Sequence, residues 1–343
     1  MHSGIVTEQE KVIFQPGIGG YREYRIPGIL AMPDGALLLA CEARAENKGD
    51  WGDIDAMVWR LERNGEMRQT VKIGQSHLPA DGSMRTHNNP VLIPDGESVH
   101  LIYHKNYEQA FICSSSDQGQ TWGAPREITE AYRAFPYEWN VCATGPGHGI
   151  QMKNGRLVAA IWLANGELAA DGVTRKHWPS VAGCIYSDDH GLTWHAGALA
   201  PSMVNGNETT VAQLPNGRLL FNYRNMNTPS NRVLGISENG EKIDALWSSD
   251  QLEDPMCFGS MAATEQGVLF ANCASATKRI NALVKYSKDA GSTWQPLWHV
   301  DDVAGYIDIA YAHRRIYALY ERSSYEKHIV EAIVLKVSEE IAL

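Results

Sequence analysis

The sequence predicts an all-β protein, a six-bladed β-propeller of four-stranded antiparallel blades built by residues 1–343 as one domain. Three observations carry this expectation. The motif Ser-x-Asp-x-Gly-x-Thr-Trp occurs three times, at Ser115 to Trp122, Ser187 to Trp194 and Ser287 to Trp294. Turn triplets between apolar runs recur along the chain, with Gly35, Gly96, Gly155, Gly217 and Gly267 lying 61, 59, 62 and 50 positions apart. The two series interleave, the motifs starting 19, 32 and 20 residues after the turns of the second, third and fifth units.

The turns Pro33-Asp34-Gly35, Pro94-Asp95-Gly96, Lys153-Asn154-Gly155, Pro215-Asn216-Gly217 and Glu265-Gln266-Gly267 each separate two apolar stretches, which reads as a β-hairpin. A sixth hairpin runs from Tyr306 to Tyr311 and returns as Ile316 to Tyr320, with its turn near His313. In the repeated motif, Asp bonds backbone amides, Gly supplies a positive φ, and Trp anchors the turn against neighbouring strands. Arg63-Asn64-Gly65 and Glu238-Asn239-Gly240 stand in the equivalent place in the first and fourth units. Each unit is thus two successive hairpins, and four-stranded sheets repeated at this interval describe a propeller. A β-sandwich with long insertions would not explain the interleaving. Six units consume almost the whole chain, so no appended lectin-like domain is expected.

Composition narrows the function. The 343 residues are 44% hydrophobic and 20% charged, enough for a sizeable core. Thirty basic against forty acidic side chains give a net charge of −10 with no basic stripe, so a nucleic-acid partner is not expected. No uncharged apolar run is long enough for a membrane span. Met1 to Val12 lacks the apolar stretch of a secretory signal. The compartment stays open: cytoplasmic as the chain stands, secreted or periplasmic if a leader has been removed. Cys41, Cys113, Cys142, Cys184, Cys257 and Cys273 show no CxxC and read as buried thiols. With no metal-ligand spacing and no phosphate loop, no cofactor is expected.

The three repeated turns resemble the Asp boxes of the sialidase superfamily. Tyr24-Arg25-Ile26-Pro27 is similar to that family's Arg-Ile-Pro motif. Gly145-Pro146-Gly147-His148-Gly149-Ile150-Gln151 and Asp254-Pro255-x-Cys257-x-Gly259-Ser260 resemble stretches of bacterial members, and the similarity covers nearly the entire chain. It implies that Arg25, Arg224 and Arg279 grip a substrate carboxylate, Arg279 on the shortest local match. It implies further that Asp50 is the acid/base, Tyr306 the nucleophile, Glu208 its partner, and Glu321 the acid orienting the first arginine. Arg44 matches an arginine near the sugar's 4-hydroxyl. Asp53 and Asp55 compete with Asp50, and Trp139, Trp51 or Met57 is a candidate wall for an N-acyl group. His148 reads as a turn residue rather than a ligand.

The hairpin map adds a geometric expectation. Arg25, Glu208 and Tyr306 precede their turns by 10, 9 and about 7 residues, and Arg224, Arg44 and Arg279 follow theirs by 7, 9 and 12. Antiparallel pairing then gathers six polar groups from four blades at one face, with the Asp-box turns on the other. Converging guanidiniums repel unless an anion belongs between them, and their forks match a carboxylate. An acidic sugar whose anomeric carbon carries that carboxylate would repel a charged nucleophile, whereas a neutral tyrosine deprotonated by an adjacent glutamate avoids the repulsion. The expectation is a retaining exo-α-sialidase acting on sialylated glycans. A Kdn-preferring hydrolase or a trans-sialidase is the alternative among enzymes, and a non-catalytic sialic-acid-binding propeller the alternative outside them. Linkage preference and oligomeric state are not encoded in these patterns.

Overall fold

The computed structural model describes residues 5–45, 49–74, 85–200, 202–324 and 329–343. Almost all regular structure is β. The first sheet runs Glu23–Ala31, Leu37–Arg44, Ile54–Leu61 and Met67–Ile73 in chain order, antiparallel throughout. Its second strand, LLLACEAR, is buried at every residue, whereas no residue of its fourth is fully buried. The burial gradient therefore runs from the inner strands outward, and the inner ones can afford few unpaired polar groups.

The fourth sheet repeats the pattern with Gly206–Gln213, Leu219–Asn225, Val233–Ser237 and Ala245–Ser248. The second contains His87–Asp95, Ser98–Lys105, Gln109–Ser115 and Arg126–Glu127. It also accepts Gly147–His148 as a parallel partner of His87–Asp95. That crossover breaks the inner strand of the third sheet, Val141–Thr144, Leu157–Ala164, Ser180–Ser187 and His195–Leu199. The remaining sheet has seven strands, because Gln295–Ala312 is 18 residues long and changes partners along its length. Its first half pairs with Ile280–Ser287 and its second with Arg315–Ser324. The edge of this sheet is Thr7–Phe14, from the other end of the chain, paired with Ile329–Ser338. The hairpin count alone did not anticipate that strand.

Six apolar clusters of the described residues follow in sequence order, five between sheets and one, Leu269 with Ile309, between the two halves of the seven-stranded sheet. Leu38 and Val58 meet Leu92 and Leu101; Ile102 meets Ile161; Trp162 meets Phe221; Leu234 meets Phe270; Leu269 meets Ile309. The last cluster joins Leu319 and Leu335 back to Leu39. Each face of every sheet is thus covered by a neighbour, which is how the chain hides inner strands that are apolar on both sides.

The three repeated turns share one hydrogen-bond set. In the first, Gly119 N donates to Ser115 Oγ (2.8 Å), while Thr121 N and Oγ1 donate to Asp117 (2.9 and 2.6 Å). Ser187/Asp189/Gly191/Thr193 and Ser287/Asp289/Gly291/Thr293 repeat it. Ser115, Ser187 and Ser287 pair with Val99, Leu157 and Val268, at the end of each sheet that carries the first hairpin turn. Arg44, by contrast, pairs with Glu23 and Ile54 at the opposite end of its sheet. All six cysteines are buried free thiols. No helix among the described residues is long and apolar enough to cross a membrane.

Candidate active site

Four inner strands carry a register break at the same end. It falls between Arg25 and Gly28, Asn88 and Val91, Gly206 and Thr209, and Ala304 and Ile307. Such a bulge leaves a residue unpaired and re-aims its side chain. Ile26 and Asn89 adopt φ of 57° and 51° at two of these breaks. Arg25, Glu208 and Tyr306 all lie in or beside a bulge, so local backbone irregularity turns them away from the ladder and towards one another.

Tyr306 Oη donates to Glu208 Oε1 at 2.5 Å, and Arg224 Nη1 donates to Glu208 Oε2 at 2.5 Å and to Tyr306 Oη at 3.0 Å. The guanidiniums of Arg25 and Arg279 lie 5.5 and 5.4 Å from the centre of the Tyr306 ring. Beneath, fully buried Glu321 accepts from Arg25 Nε at 2.7 Å, Ile26 N at 3.0 Å and Tyr306 N at 3.1 Å. One carboxylate thus fixes both an arginine and the backbone of the tyrosine. Burial, and then the charge of Glu208, hold the Tyr306 hydroxyl well above its usual pKa despite Arg224 and Arg279. The phenol is neutral at rest. Among the described residues Arg279 has no acidic partner, and Arg224 Nε is buried without an acceptor. These donors are suited to an anion.

Asp50 approaches from the loop after Leu37–Arg44. Its Oδ1 accepts from Arg44 Nη2 at 3.1 Å, and its side chain remains 51% exposed. Burial works against its ionisation, but Arg44, His177 and Arg25 outweigh that and hold its pKa below the ordinary value. Arg44 is buried and also donates to Glu42 Oε2 (2.7 Å) and Gly49 O (2.9 Å). The rival acids are committed elsewhere: Asp53 is buried, and Asp55 is buried against Tyr21 Oη (2.5 Å) and Lys72 Nζ (3.2 Å).

Glu42, which holds Arg44, was missed, although its place two residues before Arg44 puts both on one face of the strand. Trp51, Tyr107, Trp162 and His177 form an aromatic wall beside Asp50, with Trp51–Tyr107 4.7 Å apart and His177 5.0 Å from both Tyr107 and Trp162. These come from different loops and strands, and no local pattern connects them. Of the three wall candidates only Trp51 stands there. Met57 is buried between the first and last sheets, because its strand alternation points it into that interface. Trp139 packs away from the wall, its Nε1 donating to Tyr132 O at 3.0 Å. His148 is bonded to Asp308 (2.9 Å), whose other oxygen accepts from Ile29 N (2.7 Å), tying three sheets near Tyr306. Among the described residues no cluster of three or more His, Cys, Asp or Glu is arranged for a metal.

Comparison with known proteins agrees with this geometry. Residues 35–330 match the family model described as BNR repeat-like domain. The chain is 27% identical over 328 residues to a sialidase of Micromonospora viridifaciens, covering 84% of this chain and 48% of that one. It is 25% identical over 358 residues to an exo-alpha-sialidase of Arthroderma benhamiae, covering 90% and 80%. It therefore spans about half the length of some of its curated relatives. Among solved structures, the Hadza microbial sialidase Hz136 shares the fold with a TM-score of 0.79 at 24% identity, over 96% of this chain and 68% of that one. The repeat match over most of the length, joined to these relatives, shows that the chain belongs to the BNR repeat-like domain family, as a member of the sialidase type.

Proposed function

We propose that this protein is a retaining exo-α-sialidase, a six-bladed propeller that removes terminal sialic acid from glycoconjugates through a tyrosyl-enzyme intermediate. The observation that carries the reading is the Tyr306–Glu208 hydrogen bond between residues 98 positions apart, capped by Arg224. The ring of six interleaved apolar clusters supports the blade count.

Arg25, Arg224 and Arg279 receive the sugar's carboxylate. Asp50 gives its proton to the glycosidic oxygen as that bond breaks, Tyr306 Oη bonds to the anomeric carbon, and the phenolic proton passes to Glu208. In the second half Asp50 takes a proton from water, whose oxygen displaces the tyrosine, and Glu208 returns the phenolic proton. Two displacements retain configuration. Asp50 is held ionised in the free protein, yet the first step needs it protonated. The substrate carboxylate resolves this: by neutralising Arg25 it removes part of the pull that keeps Asp50 deprotonated, so binding itself raises the acid's pKa.

The test is release of free sugar from a fluorogenic α-sialoside by wild type, Tyr306→Phe and Asp50→Ala, with the first-formed anomer read by NMR. Near-normal turnover by Tyr306→Phe, or an inverted anomer, defeats the mechanism. Wild type that binds sialic acid and releases nothing would make this a binding module.

A further inference from the structure

We infer that Asp308 is a positioning residue that locks the strand carrying Tyr306 to the strand carrying Arg25, with His148 and Ser260 as its partners, an inference that rests on the sialidase reading. Two sequence motifs that the catalytic cluster leaves without a task, Gly145 to Gln151 and Asp254 to Ser260, converge on this one carboxylate.

Asp308 is fully buried, and its donors stand 160, 48 and 279 positions away in the chain. His148 Nδ1 donates to Oδ1 at 2.9 Å, Ser260 Oγ donates to the same oxygen, and Ile29 N donates to Oδ2 at 2.7 Å. The next amide of its own strand, Ile309 N, adds a bond of 3.0 Å. Burial works against protonation of His148, but the charge of Asp308 and the bond to it outweigh burial and hold the imidazole's pKa above its ordinary value. The contact is therefore charge-assisted, and stronger than one between neutral groups. A buried carboxylate is costly to leave unpaired, so the segments that supply its donors are held to it and to each other.

The place of each partner gives the lock its effect. Regular pairing after the Tyr306 bulge resumes at Ile307, and Asp308 is the next residue. Pairing after the Arg25 bulge resumes at Gly28, and Ile29 is the next residue. The Asp308–Ile29 bond thus joins the two strands one residue beyond the irregularities that aim Tyr306 and Arg25. Phe258, two residues before Ser260, packs against the Tyr306 ring with centroids 5.7 Å apart. Gly147 lets these pieces close: a Cβ there would stand 2.8 Å from Asp308 Oδ1 and 3.0 Å from Phe258 Cζ, and one on Gly28 would stand 2.6 Å from Gly147 O. Arg25 and Arg224 keep Glu321 and Glu208 as partners without Asp308. The reach of Tyr306 Oη to an anomeric carbon held by those arginines depends in addition on how the two strands sit. Loosening Asp308 should therefore spare anion binding and slow attack, because rate is the steeper function of where the reacting atoms stand.

The experiment labels the nucleophile. A 2,3-difluorosialic acid loses its 2-fluoride as the attacking oxygen bonds to the anomeric carbon, and the adduct is followed by intact mass. Wild type is compared with His148→Ala, His148→Asn, Ser260→Ala and the remote control Asp189→Ala, each at a temperature where circular dichroism shows it folded. The maximal labelling rate should fall by about tenfold to 10²-fold in His148→Ala and about threefold to tenfold in Ser260→Ala, with the half-saturating concentration within about threefold of wild type. His148→Asn, whose amide donates from the place of Nδ1, should recover most of the rate, and Asp189→Ala should label as wild type does. Unchanged rates in the two alanine variants overturn the inference. So does a fall that Asp189→Ala shares or that His148→Asn does not recover, since either is loss of stability or packing alone. If His148→Ala does not fold, Ser260→Ala against Asp189→Ala decides. Wild type that neither takes the label nor cleaves an aryl sialoside defeats the sialidase reading, and the inference with it.

Discussion

Tyr306 and Glu208 stand 98 residues apart in sequence, yet the tyrosine hydroxyl donates to the Glu208 carboxylate at 2.5 Å, and Arg224 touches both. Because burial keeps the phenol neutral, the proposed attack by Tyr306 requires a base at that position. Glu208→Gln keeps the shape and removes the base. Its kcat on an aryl sialoside should fall by about 10² to 10⁴, and steady-state rates within tenfold of wild type would contradict the assignment.

The pH dependence follows from Asp50. Its pKa lies below the ordinary value in the free protein, and the proposed mechanism uses its acid form, so kcat/KM should decline as pH rises from the acid side. Bound carboxylate cancels part of the field of Arg25, so the alkaline limb of kcat should lie at higher pH than that of kcat/KM. Coincident limbs in the two profiles would show that the substrate does not shift this acid.

Leaving-group chemistry gives a separate check. Asp50→Ala should lose about 10² to 10⁴ in kcat/KM on a sialyl-oligosaccharide, whose alkoxide needs a proton. It should lose distinctly less on an aryl sialoside with an acidic phenol. Equal losses on both, from initial rates, would remove Asp50 from protonation of the leaving oxygen.

Glu321 links the site to stability. Burial raises its pKa, but Arg25 and the amides of Ile26 and Tyr306 outweigh burial and lower it. A depressed folded pKa stabilises above the unfolded value of about 4.3 and loses that contribution as pH falls through the folded one. Glu321→Ala, which leaves Arg25 without its buried partner, should cost about 3 to 5 kcal/mol in denaturant unfolding at neutral pH. Its deficit relative to wild type should shrink on acidification; a loss below 1 kcal/mol would mean the carboxylate is not the clamp its contacts describe.

The repeated turns lie at the far end of the sheets and should be separable from turnover. Three hydrogen bonds to Asp189 from Ser187 and Thr193 pull its pKa down to about 2. Asp189→Ala should lower the Tm by about 2 to 4 °C while kcat/KM stays at the wild-type value. A large fall in kcat/KM in a folded variant would place the turn in the site's machinery.

The sequence by itself determined the repeat. Short polar turns such as Ser187 to Trp194 are local devices whose hydrogen bonds close within five residues, so their chemistry is visible in the chain. Hairpin spacing then indicated which ends of the strands carry Arg25, Arg44, Glu208 and Tyr306. Tertiary structure decided the rest, because it depends on contacts between sheets. Bulges at Arg25, Asn89, Glu208 and Tyr306 set where those side chains point. Burial sets half-exposed Asp50 apart from buried Asp53 and Asp55, a difference that no local pattern reports. The chain's first strand supplies an edge to its last sheet, and Tyr107, Trp162 and His177 meet only because a turn, a strand and a loop distant in sequence converge. Periodicity records what a residue does to its neighbours in the chain, whereas a pocket is made by residues that become neighbours only after the ring has closed.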